Sequence, residues 1–367
     1  MTMGNAMMEE VIEQSELLAR LWETEVEWTA PFVELCREHD FKRLLFVGNG
    51  SPYYAGITLR HAAERMLRVN AESIPAAVFH NHGSFDASGS IDPSEILLVC
   101  PAETGHSKGQ VDAARQAREL GIPVVCTTLN PTGVLARECD VVLAKPGGTE
   151  RSVAATKNQT MALFLVLCCF VEAGHALGNL SDDEYARLRE ALAAVPANVA
   201  ESVRLSQEWF DANVERLLAA PAFFLIGYGA NYGTVQEGAL KFYETHERPT
   251  YAFELEETLH GPFRALHADD VALFMSAEPG DERDRMTRLV DASARYCNNL
   301  VTVQSDLQKP ASDALRIASG DVEFVCAIEY LIPLQVIAAL LSARIGIDTS
   351  KTKVSELDPV MLPAYED

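Results

Sequence analysis

The sequence is short of positive charge. Its 367 residues include 53 acidic and only 30 basic side chains, which gives a net charge of −23. Such an acidic surface repels nucleic acids and anionic membranes, so neither is an expected partner. An anionic substrate must therefore be held by local hydrogen-bond donors, because the overall field of the protein opposes its binding.

Paired cysteines and metal-binding spacings are also missing. None of the eight cysteines belongs to a Cys-x-x-Cys pair, and most lie in apolar runs such as Leu97-Leu-Val-Cys100. This pattern predicts buried free thiols in a reducing compartment. Zinc-ligand spacing, an acidic residue placed for a dinucleotide and a P-loop lysine are absent as well. We therefore expect no metal and no cofactor.

Long apolar runs are scarce. The first ten residues lack the basic and apolar regions of a secretion signal. The longest apolar run, 161–171, is shorter than the roughly 20 residues that cross a bilayer, and it predicts a core helix. The expected location is the cytoplasm, without membrane association.

What the sequence does contain is an alternation of apolar strands and helices. Segment 8–40 predicts one or two helices. Strands are then expected at 43–47, 96–100, 123–127 and 141–144, with helices from 51 to about 68 and at 110–120, 133–138 and 154–176. Such alternation predicts a parallel sheet with helices on both faces.

The same order returns roughly 180 residues later. The corresponding pairs are 45–50 and 223–229, 96–100 and 271–275, 123–127 and 299–304, 140–144 and 321–327, and the helices 154–176 and 331–344. A collinear repeat predicts two similar α/β domains. We place an N-terminal helical segment at 1–40, the domains at 41–195 and 196–348, and a tail at 349–367, with the linker in the helical region 181–220.

Two loops of the first predicted domain suit an anion. Ligands of open α/β sheets bind beyond the carboxyl ends of the strands, where Gly50 and Ser51 follow the first strand. The loop Thr104-Gly-His-Ser107 follows the next strand and opens a helix, so hydroxyls and free helix amides predict a phosphate site. The alternative is that Thr104 and Ser107 only cap this helix and that Gly50 only makes a turn.

The matching loop of the second predicted domain, 276–282, contains three carboxylates, which would repel phosphate. The second domain instead offers Glu237, Lys241 and Glu244 on one helical face, followed by His260-Gly-Pro262. A carboxylate on a helix and a histidine on a fixed loop suit proton transfer. Alternatively, Glu244 and Lys241 form a surface pair and His260 is structural.

The sequence resembles the sugar isomerase (SIS) family over roughly residues 40–350. It is most similar to the isomerase half of glucosamine-6-phosphate synthase and to its deglycase and deaminase relatives. The resemblance implies two tandem SIS domains, each a three-layer α/β/α sandwich of flavodoxin-like type. It rests on Gly48-Asn-Gly-Ser-Pro-Tyr53, Thr104-Gly-His-Ser107, Gly148-Thr-Glu-Arg-Ser-Val-Ala-Ala-Thr-Lys157, and Glu237-Gly-Ala-Leu-Lys-Phe-Tyr-Glu244 with His260-Gly-Pro262.

The resemblance also implies roles for these residues. Glu244 would move a proton between C1 and C2 of a sugar phosphate, with Lys241 beside it. His260 would assist ring opening at the site of a neighbouring subunit in a homodimer or larger homo-oligomer. The phosphate would be held by the loops that contain Gly50, Ser51, Thr104, Gly105, His106 and Ser107, and Val153 would lie beside the sugar through its backbone.

The sequence departs from the family at several points. Ala102 replaces the usual first serine of its loop, His106 replaces an acidic residue, and the glutaminase half is not in the sequence. The tail lacks the family's ring-opening lysine motif, which leaves Lys351 and Lys353 as loose candidates. Gly50-Ser-Pro52 is closer to the deglycases.

The predicted function is therefore that of a SIS enzyme acting on a phosphorylated sugar. It would be a sugar-phosphate isomerase, a fructosamine-6-phosphate deglycase or an amino-sugar-phosphate deaminase. The alternative is a non-catalytic sugar-phosphate sensor or regulatory SIS protein. A sensor has no need of Glu244 and His260, and the acidic segment 1–40 does not resemble a DNA-binding domain.

Overall fold

The computed structural model describes residues 5–83 and 85–366, except for the side chains of residues 358 and 359. They form two compact units, each built on its own sheet. The first unit comprises Leu17–Thr149, Asn158–Leu192 and Lys353–Asp367, and the second comprises Met1–Glu16, Glu150–Lys157 and Ala193–Thr352. The domains predicted from the sequence, 41–195 and 196–348, are continuous segments, whereas each of these units combines three segments; the predicted domain bounds stay a prediction.

The first unit contains a five-stranded parallel sheet with the order β2-β1-β3-β4-β5. This is the flavodoxin-like order. In such sheets the strand order reverses between β1 and β3, and ligands bind in the crevice beyond the carboxyl ends of these two strands. Strands β3 and β4 are buried along their whole length, as their continuous apolar runs require. The strands are β1 (Arg43–Gly48), β2 (Asn70–Pro75), β3 (Ile96–Pro101), β4 (Val124–Thr128) and β5 (Val141–Ala144).

The second unit contains a parallel sheet with the order β10-β9-β8-β6-β7. Read from its other edge, this order is the same permutation as in the first sheet. The predicted α/β class with parallel sheets is thus confirmed, and the two sheets have the same strand order. The strands are β6 (Phe223–Gly227), β7 (Thr250–Glu254), β8 (Val271–Ser276), β9 (Asn299–Ser305) and β10 (Ala314–Ile317).

Helices flank both sheets, and most lie where the sequence predicts them. The long helix α7 occupies the predicted linker region, and it continues through Pro196. The helices are α1 (Ala6–Glu23), α2 (Glu25–Glu38), α3 (Ser51–Leu67), α4 (Ala76–His82), α5 (Lys108–Glu119), α6 (Lys157–Ala176), α7 (Asp182–Ala219), α8 (Asn231–His246), α9 (Asp281–Ser293), α10 (Cys326–Ile345) and α11 (Asp358–Met361).

One predicted strand is wrong, and three edge strands were missed. Segment 321–327 is not a strand, because Asp321 and Phe324 have φ values of 50° and 66°, which break extended structure. The fifth strand of the second sheet is β10 instead, a short edge strand whose run is interrupted by Arg316. Strands β2 and β7 also lie at sheet edges, and their partly exposed residues give no apolar run.

Helices α6 and α10 are long and apolar enough to cross a membrane by length and composition. In their most apolar windows, however, 83% and 89% of the residues are buried inside the protein. That burial is typical of core helices, in agreement with the prediction for 161–171. The predicted free thiols are confirmed: all eight cysteines are unpaired, and only Cys139 is partly exposed.

The second unit buries one carboxyl group whose ionisation changes near neutral pH. Glu329 on α10 is 2% exposed, and it accepts hydrogen bonds from Ser319 Oγ at 2.5 Å and Asn198 Nδ2 at 2.6 Å. Burial raises the pKa of Glu329 from 4.5 to about 7, although both hydrogen bonds oppose the rise. The folded protein therefore holds this proton more tightly than the unfolded chain does.

This linkage predicts the pH dependence of a variant. The stability contributed by protonated Glu329 is full below the unfolded pKa of 4.5 and is lost as the pH rises through about 7. Glu329→Gln has no such loss, so its free energy of unfolding relative to wild type should rise with pH, by about 3 kcal/mol at most. Urea unfolding at about pH 5 and pH 8 measures this. Parallel pH profiles of the two proteins would contradict the assignment.

Candidate active site

The loop after β1 is shaped by close packing and by a left-handed turn. A Cβ on Gly48 would lie 2.4 Å from the Cβ of Pro52, so this glycine serves packing. Gly50 has a φ of 62°, a conformation that favours glycine. Ser51 is the first residue of α3 and is largely buried. The loop therefore presents Ser51 at a helix N-terminus beyond the carboxyl end of a central strand.

The loop after β3 presents the second group of predicted site residues. Gly105 makes its left-handed turn with a φ of 78°. Thr104 and His106 are half-buried, and Ser107 is exposed at the N-cap of α5. Among the described contacts, the Ser107 side chain makes no capping hydrogen bond. The capping alternative for Ser107 is thus unsupported, and its hydroxyl points to no partner within its own helix.

Gln110 fastens these two loops together, which sequence reasoning missed. Its buried side-chain amide donates to the carbonyl of Val47 at 2.9 Å and to that of Pro101 at 2.6 Å. The two acceptors lie at the carboxyl ends of β1 and β3, which pair in the sheet. One side chain thus fixes the spacing of both strand ends. The sequence places Gln110 in the first turn of a helix that follows a strand, near the strand ends. A single glutamine at such a position does not by itself indicate which groups it binds.

The tail also contacts the loop after β3. Tyr365 N donates to the carbonyl of His106 at 2.8 Å, and Lys108 N donates to that of Pro363 at 3.0 Å. The Tyr365 hydroxyl binds Asp112 at 2.7 Å and accepts from Lys108 Nζ at 2.8 Å. The tail thus docks on the start of α5 by an antiparallel bridge. The loose candidate Lys351 instead pairs with Asp348 at 2.8 Å, and Lys353 is exposed.

In the second unit, α8 brings three charged side chains together as predicted. Lys241 Nζ lies 3.2 Å from Glu237 Oε1 and 2.7 Å from Glu244 Oε2. The side chains of Lys241 and Glu237 are 0% and 1% exposed, whereas that of Glu244 is 30% exposed. The surface-pair alternative for Lys241 is therefore wrong. Glu244 is the member of this group that reaches solvent.

The charge state of Lys241 is set by its neighbours. Burial lowers its pKa, but the carboxylates of Glu237 and Glu244 outweigh burial and raise the pKa above its ordinary value. Lys241 is consequently an ammonium ion at every physiological pH. Two carboxylates and one ammonium leave one net negative charge on this face of α8 when all three groups are ionised.

The orientation of α8 is fixed by its contact with α10. A Cβ on Gly238 would lie 2.3 Å from Leu334 Cδ1, so the glycine of the Glu237–Glu244 motif allows the close approach of α10. His246, at the end of α8, packs against Phe223 and Phe242. Burial lowers the pKa of His246 to about 3. It is therefore a neutral core residue at physiological pH.

His260 lies apart from this core. It ends the 3₁₀ helix Glu257–His260 and is exposed. Gly261 follows with a φ of 141°, and Pro262 starts the next 3₁₀ helix, so the predicted loop break is present. An exposed imidazole on a short, fixed turn is accessible to a ligand or a second subunit.

The loop that contains Val153 is fastened by the N-terminal helix. Glu10 on α1 is buried, and its carboxylate accepts from the backbone amides of Arg151 and Ser152, the latter at 3.3 Å. Val153 N donates to the carbonyl of Thr349 at 2.8 Å. Helix α1 thus positions the backbone of a predicted site segment, a role that an amphipathic pattern does not reveal.

We expect Glu10→Ala to loosen this segment. Loss of the carboxylate leaves the amides of Arg151 and Ser152 without a charge-assisted acceptor, so their hydrogen exchange should accelerate at least about tenfold. The matched control is Glu9→Ala, since Glu9 is exposed and binds only the Arg151 side chain, at 2.6 Å, in the described contacts. Equal exchange in the two variants would show that Glu10 does not hold the loop.

The buried charges of Lys241 and Glu237 on α8 should depend on each other for stability. Lys241→Met leaves the buried carboxylate of Glu237 uncompensated and should lower the free energy of unfolding by about 3–5 kcal/mol. The double variant Glu237→Gln/Lys241→Met contains no buried charge at these positions, so it should recover most of that loss. Urea unfolding of the single and double variants measures both effects. Additive losses in the double variant would argue against a buried pair.

The comparisons with known proteins agree with this architecture. The SIS domain model matches residues 39–171. Glutamine–fructose-6-phosphate aminotransferase [isomerizing] of Pyrobaculum aerophilum is 26% identical over 353 residues, which are 95% of this chain and 56% of that protein. The Thermococcus kodakarensis protein of the same name is 27% identical, covering 86% and 51%. The chain thus spans about half the length of these curated relatives.

Several solved structures share the fold. The C-terminal domain of glucosamine-fructose-6-phosphate aminotransferase from Francisella tularensis superposes with a TM-score of 0.82 at 21% identity, covering 93% of this chain and 97% of that one. For tagatose-6-phosphate ketose/aldose isomerase from Escherichia coli the values are 0.78 and 17%, with 96% of each chain covered. For glucosamine-6-phosphate deaminase from Thermotoga maritima they are 0.71 and 19%, covering 95% and 98%. Residues 39–171 thus match the SIS domain model, and the predicted resemblance to the SIS family is confirmed.

Proposed function

We propose that this protein is a SIS-family phosphosugar isomerase that moves a proton between C1 and C2 of a hexose phosphate. The observation that carries the proposal is the group on α8, where partly exposed Glu244 is held 2.7 Å from a buried lysine. A carboxylate fixed by a permanent cation is oriented for proton abstraction, and it remains accessible to a substrate. An ordinary surface glutamate is accessible but is not oriented by a buried cation.

The phosphate ligands in this proposal are Ser51, Thr104 and Ser107. Ser51 opens α3 and Ser107 precedes α5, so both hydroxyls lie beside helix N-terminal amides that favour an anion. Gly50 and Gly105 supply the turns, and His106 lies in the same loop. The fixed spacing of the strand ends by Gln110 supports a preformed site.

The proposed chemistry uses one base and one ring-opening group. His260 assists opening of the sugar ring, and Val153 contacts the sugar through its backbone. Glu244 removes the proton from the carbon next to the carbonyl or imine, the released electron pair forms the C1–C2 double bond, and the carbonyl oxygen or imine nitrogen takes up a proton, which gives an enediol or enolamine. The other hydroxyl group then loses its proton while the carboxyl group of Glu244 returns its proton to the neighbouring carbon, which completes an aldose–ketose exchange. No step requires a metal or nucleotide.

If the substrate contains nitrogen, the same proton transfer leads to different products. Proton transfer in a ketosamine phosphate produces an imine at the anomeric carbon, and water then hydrolyses it to an aldose phosphate and a free amine. The relatives named above include an isomerase and a deaminase. The Gly50-Ser-Pro52 sequence and the pairing of Lys351 with Asp348 favour deglycase chemistry without a lysine from the tail.

The second unit is, in this proposal, a second SIS domain without a phosphate site. Its strand order repeats that of the first, and Ser276-Ala-Glu-Pro-Gly280 parallels Pro101-Ala-Glu-Thr-Gly105. Arg283 fills the corresponding loop, because its guanidinium donates to the carbonyl of Ala277 and lies 2.7 Å from Asp321 Oδ2. We infer one anion site per chain, in a cytoplasmic homodimer or larger homo-oligomer in which His260 completes the neighbouring subunit's site.

A panel assay tests the proposal. Glucosamine-6-phosphate, fructosamine-6-phosphates and fructose-6-phosphate are offered to the protein, and hexose phosphate and amine are measured. Glu244→Gln should lower turnover at least about 100-fold, because it removes the base, while binding of sugar phosphate persists. Wild-type turnover in Glu244→Gln would exclude Glu244 as the base.

The products decide between the activities. Amine release from a ketosamine phosphate indicates a deglycase, and amine release from glucosamine-6-phosphate indicates a deaminase. Interconversion of the ketose and aldose phosphates without amine indicates a plain isomerase. Binding without any turnover by the wild-type protein would favour the sugar-phosphate sensor.

A further inference from the structure

We propose that Glu237 is a positioning residue that keeps Glu244 available as a base by serving as the permanent counter-ion of Lys241. The inference rests on the proposed function, since it concerns the proton transfer assigned to Glu244. Glu237 would not touch the substrate. Its effect would pass entirely through the buried ammonium between the two carboxylates.

The geometry separates the roles of the two carboxylates. Both lie within salt-bridge distance of Lys241 Nζ, but Glu237 is 1% exposed and Glu244 is 30% exposed. A substrate proton can therefore reach Glu244, whereas Glu237 is withdrawn from solvent. Glu237 and Lys241 lie one helical turn apart and are buried together, so their pairing is part of the folded core of the second unit.

The charge balance explains why a second carboxylate is needed. When Glu244 takes up a proton, it ceases to neutralise Lys241. With Glu237 in place, the buried ammonium keeps an ionised partner throughout the reaction. Without Glu237, protonation of Glu244 would leave that ammonium uncompensated, which a low-dielectric interior strongly disfavours. Glu244 would then stay ionised and act as a weaker base.

Other titratable groups near α8 have partners of their own. Helix α8 packs against β6, β7 and α10. Glu254 on β7 accepts from the amides of Glu256 and Glu257, and Glu329 on α10 binds Ser319 and Asn198. The remaining titratable side chains on these elements and on α8 are Tyr232, Tyr243, His246, Tyr251, Cys326, Tyr330 and Arg344, and the contacts described for each are to groups other than Lys241.

The experiment compares Glu237→Gln, Glu237→Asp and wild type by the pH dependence of kcat/KM, using the substrate that the panel assay identifies. Glu237→Gln should lower kcat at least about tenfold, while KM stays within about threefold of the wild-type value. The acid limb of its kcat/KM profile, where activity falls at low pH, should move to lower pH by about one unit. Glu237→Asp keeps the charge, so it should be the more active variant and its acid limb should stay within about 0.3 pH units of wild type.

A purely structural role predicts a different order. If only the shape of the side chain mattered, Gln would replace Glu better than Asp does, and no limb would move. The matched control is Glu329→Gln, which removes a buried carboxylate of the same unit that does not contact Lys241 in the described structure. Its acid limb should coincide with that of wild type. If Glu237→Gln does not fold, Glu237→Asp decides the question: a kcat within about threefold of wild type with an unmoved acid limb upholds the inference, whereas a loss of kcat of about tenfold or more, or a shifted limb, overturns it.

Glu244→Gln, measured in parallel, separates the two hypotheses. If Glu244→Gln remains active, the proposed base is wrong, whatever happens at position 237. If Glu244→Gln is inactive while Glu237→Gln keeps the wild-type acid limb, only the role of Glu237 is overturned. Loss of activity at 244 together with a lowered limb at 237 supports both.

Discussion

The candidate chemistry depends on one ammonium group that the fold withdraws from water. Lys241 is completely buried, and such a group is tolerated only when ionised partners lie beside it. The helix provides them one turn before and one turn after, at 3.2 Å and 2.7 Å. An unpaired ammonium group would destabilise a protein core. With its two partners, Lys241 is instead a fixed positive charge that orients the more exposed carboxylate of Glu244.

A second constraint is the parallel sheet, because the loops that follow neighbouring parallel strands all lie at the carboxyl ends of the strands. In the first unit, Ser51 and Ser107 arrive there because β1 and β3 are neighbours and each leads into a helix. In the second unit the same topology is present, but Arg283 and Asp321 occupy the corresponding loop. One topology thus places serine hydroxyls at the strand ends of the first sheet and an internal ion pair at those of the second.

The sequence predicted whatever depends on local pattern. Continuous apolar strands, the repeat and the helical spacing of Glu237, Lys241 and Glu244 were all visible in it. Edge strands β2 and β7 were not, because half-exposed strands lack an apolar run. The strand expected at 321–327 is absent because Asp321 and Phe324 have positive φ values and α10 begins at Cys326, and neither feature follows from an apolar pattern. Likewise, Glu10 and Gln110 act on backbone groups far away in sequence, and nothing in their own neighbourhood indicates that role.

The contact between Gly238 and Leu334 links the acid–base group to a residue that bears no chemistry at all. Because a Cβ at 238 would overlap the leucine side chain, the two positions constitute a single choice, although they lie on different helices. A Cβ at 238 fits only if the Leu334 side chain moves or is replaced by a smaller one. Across homologous chains these positions should covary, and an apolar substitution in α10 can redirect a carboxylate on α8 that it never touches.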